Sequence, residues 1–221
     1  MLGFLWLWNV NWKVPPDFGE AGQRGLYKFT AFAVSDPVLP PYSFVVEKVV
    51  LPGIEVFGWG VIISETALAV LLLSGLWIRA AALLGIAQSV AITLSVAFAP
   101  HEWAWAYLLM TGAHIALLTS SSGRLLAVDA VRAGLSDGRS LGRLAGGTAV
   151  VAGLYSVVRS VGDPLAANGP QIGTSSWEVG LGGFNLVGGL VLATVGALLL
   201  ASERLGARAA RAPTRPTSPA P

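Results

Sequence analysis

Charged residues are scarce in this sequence, which is unusual for a soluble domain. Only 12% of the 221 residues are Asp, Glu, Lys or Arg, whereas 54% are apolar. A soluble domain carries about 25% charged residues. The charges gather in a few segments, and no basic face interleaved with aromatic residues lies outside the apolar runs. A nucleic-acid partner is therefore not expected.

Cysteine is absent and histidine nearly so, which removes most cofactor chemistry. Without cysteine the chain forms no disulfide, no thiol nucleophile and no cysteine-held iron–sulfur cluster. His101 and His114 lie 13 residues apart, about 20 Å along one helix, and cannot both ligate one haem iron. Neither a His-x-x-x-His pair nor a carboxylate cluster occurs. We therefore expect no haem, no metal and no iron–sulfur cluster.

Long uncharged runs predict membrane-spanning helices, each of which needs roughly 20 apolar residues. Val56–Trp77 contains one charge, Glu65, and Ala80–Ala99 and Val179–Ala201 contain none. The shorter candidates are Trp103–Thr119, Leu144–Val158 and Leu2–Trp12. The last of these is too short to span alone, which favours a chain start further upstream. The prediction is an all-α polytopic transmembrane bundle of five or six spans in a lipid bilayer.

The segments between the runs have their own patterns. Residues 13–53 are predicted to form an outer loop, because six prolines there break long helices. Within it, Leu26, Phe29 and Ala33 recur at helical spacing and predict a short surface helix. The tail, 203–221, is rich in Arg, Ala and Pro and is predicted to be disordered.

The basic residues predict the orientation of the bundle. With six spans, nine of the fourteen fall on the side of the C-terminus: Arg79, Arg124, Arg132, Arg139, Arg143, Arg204, Arg208, Arg211 and Arg215. Basic residues prefer the cytoplasmic side. We expect a multi-pass protein of the plasma membrane with a cytoplasmic C-terminus.

Small residues recur at four-residue spacing in the C-terminal part of the chain. They form the sets Gly189, Ala193 and Ala197, then Gly142 and Gly146, then Ala149 and Gly153. Small residues let helix backbones approach closely in a membrane. Helix packing is favoured over a ligand-binding role.

Two residues in the apolar runs are candidates for catalysis. Glu65 lies near the middle of its run, where an unpaired charge costs several kcal/mol. A functional role is favoured, and a neutral acid bonded to a neighbouring helix is the alternative. Tyr107, Thr111 and His114 share one helix face, and His114 is equally well a structural hydrogen-bonder or a ligand. Glu65 and His114 could share one interior site.

Aromatic residues cluster at the predicted outer end of the bundle. They are Trp6, Trp8, Trp12, Trp103 and Trp105, with Lys13 beside them. They could line an entrance for an amphiphile such as a quinone. An interfacial aromatic belt is the favoured alternative.

Residues 1–133 share four features with a known family. The features are Trp12-Lys13 followed by Phe18, then Phe57 through Glu65 to Gly75-Leu76 and Arg79, then a charge-free run followed by an aromatic one, then Gly123-Arg124 through Asp129. Together they resemble the DoxX family, and within it the DoxD-type membrane subunit of thiosulfate:quinone oxidoreductase. The resemblance implies a four-helix core over 1–133, with two additional helices in 134–202.

The resemblance also implies site residues. It points to Lys13, Glu65, Arg79, Arg124 and Asp129, of which the last two are expected to pair at the inner turn. With the aromatic entrance, the candidate quinone-binding residues are Lys13, Trp12, Tyr107 and Arg79, and the candidate catalytic residues are Glu65 and His114.

Three functions follow as hypotheses. The first is a quinone-linked oxidoreductase subunit acting on thiosulfate or a related small sulfur compound, with a second membrane or soluble subunit as partner. The second is a non-catalytic membrane scaffold that recruits a partner in oxidative-stress defence. The third is a small proton-coupled transporter with Glu65 as its proton site.

Overall fold

The computed structural model is almost wholly helical, and it describes residues 1–120, 127–132, 139–161, 171–172, 179–180 and 186–209. Its helices in chain order are α1 (Leu2–Asn11), α2 (Gly25–Ser35), α3 (Pro40–Val45), α4 (Ile54–Ser74), α5 (Ile78–Val96), α6 (Ala104–Thr119), α7 (Val128–Arg132), α8 (Arg139–Arg159) and α9 (Leu186–Ala209). A π-helical segment, Val46–Val50, continues α3. Strands β1 (Gln171–Ile172) and β2 (Val179–Gly180) form one antiparallel pair. The prediction of an all-α chain is confirmed.

Helices α4 and α5 are long and apolar enough to cross a membrane. They contain 21 and 19 residues, and only 22% of the most apolar window of each is buried. The core helix of a soluble protein would be mostly buried, so this exposure favours a membrane protein. The runs predicted at Val56–Trp77 and Ala80–Ala99 are confirmed as apolar helices of this length, although each helix begins two residues earlier and ends three residues earlier than its run. Shorter apolar helices are Ala104–Thr119, Arg143–Val158 and Gly188–Ser202.

Helix pairs set the architecture: α1 packs along α4, α5 along α6 and α8 along α9. A core cluster joins Trp6 and Leu7 of α1 to Leu68 of α4, Met110 of α6 and Val191 of α9. Large apolar side chains also cover the outer surface, among them Val56, Ile63, Leu83, Leu108, Val151 and Val158. So extensive an apolar surface marks contact with lipid or another apolar partner.

The connection between α4 and α5 is fixed by α7. Helix α4 ends at Gly75, whose φ of +68° is the left-handed conformation that glycine adopts without a steric penalty. The backbone N–H of Asp129 donates to the Gly75 carbonyl at 3.2 Å, and Asp129 Oδ2 accepts from the N–H of Ile78 at 3.4 Å. Asp129 thus caps the start of α5. Its predicted partner, Arg124, lies outside the described residues.

Helices α8 and α9 pack backbone against backbone. A Cβ placed on Gly153 would lie 2.6 Å from the Gly189 carbonyl oxygen, and one on Gly196 would lie 2.5 Å from that of Gly146. Neither glycine can therefore carry a side chain unless the helices separate. The predicted small-residue packing is confirmed for Gly146, Gly153 and Gly189.

Residues 13–53, predicted as an outer loop with one short helix, contain more helix than predicted. The surface helix predicted from Leu26, Phe29 and Ala33 is confirmed as α2, but α3 and the π-helical segment were not predicted. Pro40 and Pro41 occupy the first turn of α3, where a missing N–H costs no intrahelical bond. These prolines begin a helix instead of breaking one.

The last predicted span is also displaced. Val179–Gly180 pairs as β2 instead of opening the helix, which begins at Leu186. The helix then continues to Ala209, so residues 203–209 are helical and the disorder predicted for them is wrong. The remainder of the predicted tail, 210–221, lies outside the described residues.

Candidate functional site

A cavity of about 700 Å³ lies at the C-terminal end of α1, between α2, α4, α5 and α6. Its wall is mainly aromatic and aliphatic. The aromatic members are Trp8, Trp12, Phe29, Tyr42, Phe57 and Tyr107, and the ionisable members besides tyrosine are Lys13, Glu65 and Glu102. A cavity with apolar walls and a few convergent polar groups is the usual form of a small-molecule site.

An ion pair between Lys13 and Glu65 forms part of the cavity wall. Lys13 Nζ lies 2.8 Å from Glu65 Oε2, and the two side chains are only 3% and 1% exposed. The same ammonium donates to the Asn9 carbonyl at 2.7 Å and lies 4.1 Å from the centre of the Trp12 ring. These partners offset the large cost of taking both charges out of water.

The end of α1 explains why lysine is found at position 13. The last carbonyls of a helix have no intrahelical partner and carry partial negative charge, so a cation is favoured there. Lys13 lies two residues beyond Asn11, where α1 ends, and its backbone N–H donates to the Val10 carbonyl at 3.2 Å. Its side chain then turns back to reach the Asn9 carbonyl and Glu65 on α4.

An apolar cluster lies beside Trp12, the aromatic neighbour of Lys13. Phe18 is 1% exposed and packs with Leu26 and Ile54, with Trp12 against them. A Cβ on Gly58 would lie 2.5 Å from the Phe18 ring, so only glycine on α4 admits the ring at this depth. The cluster thereby packs the segment that follows Lys13 against α4.

Further polar groups of the wall bond to one another. The Tyr107 hydroxyl donates to Glu102 Oε2, and Gln88 Nε2 donates to Ser64 Oγ. Tyr42 reaches α5, where its hydroxyl lies 2.9 Å from Ser95 Oγ and 3.2 Å from the carbonyl oxygen of Ala91. Tyr42 thereby fixes α3 to α5 along the edge of the cavity.

His114 has a different environment. Its Nε2 accepts from the indole N–H of Trp6 at 3.0 Å, and its Nδ1 lies 2.7 Å from the Met110 carbonyl oxygen. Because an indole only donates, Nε2 carries no proton and Nδ1–H donates, which is a neutral tautomer. Trp6 and His114 are both fully buried, and a Cβ on Gly85 would overlap the imidazole ring.

The structure brings four of the six predicted site residues to one cavity. Glu65, Lys13, Trp12 and Tyr107 line it, whereas His114 and Arg79 are not among the described lining residues. Glu65 and His114 therefore belong to separate hydrogen-bonded pairs.

Arg79 lies at the opposite end of α5 from the cavity. It is exposed in the first turn of that helix. The first α5 residue that lines the cavity is Gln88, about 13 Å further along the axis. The structure thus offers Arg79 no role in the cavity wall.

The aromatic residues predicted to lie at one entrance separate in the structure. Trp8 and Trp12 line the cavity, and Trp6 is buried in the core. Trp103 and Trp105 are exposed and stack on each other, with ring centres 5.7 Å apart.

Among the wall residues that were not predicted as site residues are Phe29, Tyr42 and Glu102. Phe29 and Tyr42 come from the region predicted as an outer loop, and only the folding of α2 and α3 over α5 brings them to the cavity. Glu102 precedes α6, and no spacing pattern distinguishes it from a surface acid. The sequence feature that could have identified Glu102 is the nearby Tyr107, whose hydroxyl donates a hydrogen bond to the Glu102 carboxylate.

No protein-family model, curated protein or solved structure matches this chain. The resemblance to the DoxX family therefore stays a prediction.

Proposed function

We propose that this chain is a multi-pass protein of the plasma membrane that binds a quinone in the cavity and serves as a quinone-linked oxidoreductase subunit. The electron donor would be thiosulfate or a related small sulfur compound. The observation that carries the proposal is the buried Lys13–Glu65 pair on the wall of a cavity of about 700 Å³.

The membrane part of the proposal rests on the apolar surface and the basic residues. Only 22% of the most apolar window of α4 and of α5 is buried, and exposed apolar side chains continue onto α6 and α8. Lipid would cover these faces. The excess of arginine between and after the later runs favours a cytoplasmic C-terminus.

The cavity suits a flat, amphiphilic ring. Its volume lies within the range of about 300–1,000 Å³ typical of small-molecule sites. The rings of Trp12, Phe29 and Phe57 supply apolar faces, and Lys13 and Glu65 supply polar groups among them. A quinone matches this arrangement, because its ring is apolar and its two carbonyl oxygens are polar.

Reduction of a quinone to a quinol takes up two electrons and two protons. Lys13 and Glu65 are the groups we assign to holding protons at the wall, since their contact places an acid and a base 2.8 Å apart. The electrons would come from the sulfur compound through a second subunit. The wall holds two carboxylates, Glu65 and Glu102, against one ammonium, which is unfavourable for a thiosulfate dianion.

The test is thiosulfate-dependent quinone reduction in membranes of the native host, compared with membranes that lack the chain. We expect Glu65→Gln to abolish the activity that depends on this chain. The matched control is Glu55→Gln, because Glu55 is an exposed acid on the same helix and should leave the rate unchanged. An equal rate without the chain, or full activity in Glu65→Gln at normal abundance, would contradict the proposal.

A small proton-coupled transporter is the second candidate, and the same ion pair favours it. A charged pair on a cavity between apolar helices is also the arrangement by which transporters bind protons. Substrate uptake into proteoliposomes that depends on a proton gradient, without quinone reduction, would select this function.

A further inference from the structure

The tyrosine hydroxyl hydrogens and the ammonium at the polar side of the cavity are already engaged. Tyr107 donates its one hydroxyl hydrogen to Glu102, and Tyr42 donates its own to α5. Lys13 donates to Asn9 and to Glu65, and its ammonium also faces the Trp12 ring at 4.1 Å. The strongest donors of the wall therefore have little capacity left for a ligand.

Strong acceptors, by contrast, stay available. Lys13 bonds Oε2 of Glu65, and Tyr107 bonds Oε2 of Glu102, while no hydrogen bond from another described residue reaches Oε1 of either acid. Hydrogen bonds to a carboxylate are roughly twice as strong as neutral ones. Neutral donors such as the Trp12 indole and the Thr30 hydroxyl also lie on the wall, but they offer only the weaker kind.

We infer that the cavity selects ligands that donate hydrogen bonds, and that it binds a quinol more tightly than the corresponding quinone. A quinol carries two hydroxyl donors, whereas a quinone carries only acceptors. A quinone oxygen that faces Oε1 of Glu65 or Glu102 meets like partial charge, because the protons beside these acids are held on Lys13 and Tyr107, which donate them to Oε2. This inference rests on the proposed function only in taking a quinone-type ring as the occupant.

The selectivity has a consequence for electron transfer. A site that binds the reduced form more tightly makes the bound quinone a stronger oxidant than the free one. A tenfold preference corresponds to about 30 mV for a two-electron couple. Such a shift favours reduction by a weak reductant, so the acceptor-rich wall would assist the proposed reaction.

The test is binding to the purified full-length chain in lipid, without any sulfur compound and without oxygen. Three ligands with the same ring are compared: a short-chain benzoquinone, its hydroquinone and the dimethyl ether of that hydroquinone, which has no hydroxyl donor. Quenching of tryptophan fluorescence reports binding, because Trp8 and Trp12 line the cavity. We expect the hydroquinone to bind about tenfold more tightly than the other two, as one additional hydrogen bond to a charged group provides.

Two variants show which wall residues cause the preference for hydroquinone. Glu102→Gln removes one carboxylate and leaves the Lys13–Glu65 pair intact, and Lys13→Met/Glu65→Leu removes the pair without leaving an unpaired charge. Each should reduce the preference for the hydroquinone by several fold, whereas Glu55→Gln should leave it unchanged.

Three results would overturn the inference: equal binding of quinone and hydroquinone, equal binding of the dimethyl ether and hydroquinone, or a full preference in both variants. Absence of binding by all three ligands would overturn it as well. Selective hydroquinone binding without thiosulfate-dependent quinone reduction would support the inference and reject the proposed function.

Discussion

Two buried polar pairs join α1 and its C-terminal end to other helices, and they differ in what surrounds them. Lys13 meets Glu65 of α4 at 2.8 Å, and Trp6 meets His114 of α6 at 3.0 Å. Both donors come from the N-terminal segment, and all four side chains are buried. Yet the first pair lies on a cavity of about 700 Å³, whereas the second lies in the packed core.

Burial and a good hydrogen bond therefore do not distinguish a site from a core contact. Trp6 packs with Leu68, Ala69 and Met110 in the core cluster, and Gly85 contacts the imidazole so closely that no ligand fits between them. Trp6 and Leu7 belong to the core cluster, which we call the core layer, whereas Trp8, Asn9 and Trp12 further along the segment line the cavity and belong to the cavity layer. The cavity layer has space for a ligand and the core layer has none.

Breaking the ion pair should have the largest effect. Lys13→Met leaves the Glu65 carboxylate buried without its cation, which should lower the free energy of unfolding by about 3–5 kcal/mol. The double variant Lys13→Met/Glu65→Leu should recover most of that loss, because two apolar side chains replace two charges. Titration with SDS of the purified variants measures both.

The matched control for that variant is Lys48→Met. Lys48 pairs with Glu47 at 2.7 Å, but the two side chains are 55% and 46% exposed. The expected change there is about 0–1 kcal/mol. Equal losses for Lys13→Met and Lys48→Met would show that burial of the first pair is not what makes it important.

Breaking the core pair should have a smaller effect, and it should leave ligand binding unchanged. Trp6→Phe keeps an aromatic ring but leaves His114 Nε2 without a donor, at a cost of about 1–3 kcal/mol. The affinity for hydroquinone should equal that of the wild-type chain, because the pair does not line the cavity. Stability and hydroquinone titrations on the same sample test both expectations.

Trp103→Phe is the control for Trp6→Phe, since Trp103 is 63% exposed and should change neither quantity. A weakened affinity for hydroquinone in Trp6→Phe, but not in Trp103→Phe, would join the two layers into one site. That result would also restore His114 as a functional candidate.

The sequence predicts that a buried polar site exists better than it predicts which residues form that site. Glu65 could be identified because an acid in an apolar run is costly and needs a partner. Lys13 is identified by its place beside the outer aromatic residues and by the family resemblance, but its pairing with Glu65 is not predicted, since the 52-residue separation leaves no local pattern. The tertiary pairing of α1 with α4 decides that contact.

The polar face of α6 shows where periodicity misleads. Tyr107, Thr111 and His114 share one side of the helix, yet Tyr107 lines the cavity and His114 lies in the core. The Thr111 hydroxyl donates to the Tyr107 carbonyl at 2.9 Å, so its hydrogen bond is made within the helix. Helical spacing predicts which residues share a face, but not which of them a cavity reaches along its length.

Breaking a neutral hydrogen bond at the edge of the cavity should have the smallest effect. It tests whether the neutral contacts of the cavity layer resemble those of the core. Tyr42→Phe removes the hydroxyl that joins α3 to Ser95 and Ala91 of α5, at a cost of about 0.5–1.5 kcal/mol. Because Tyr42 lies on the edge of the cavity, we also expect faster hydrogen exchange in α3 and in the π-helical segment Val46–Val50. Hydrogen-exchange mass spectrometry in lipid resolves that local change from a global one.

The control is Tyr27→Phe, whose hydroxyl forms no hydrogen bond with the described residues. Faster exchange over α4 and α5 as well would mean that Tyr42 supports the whole bundle, and the cavity would then be as rigidly built as the core beneath it.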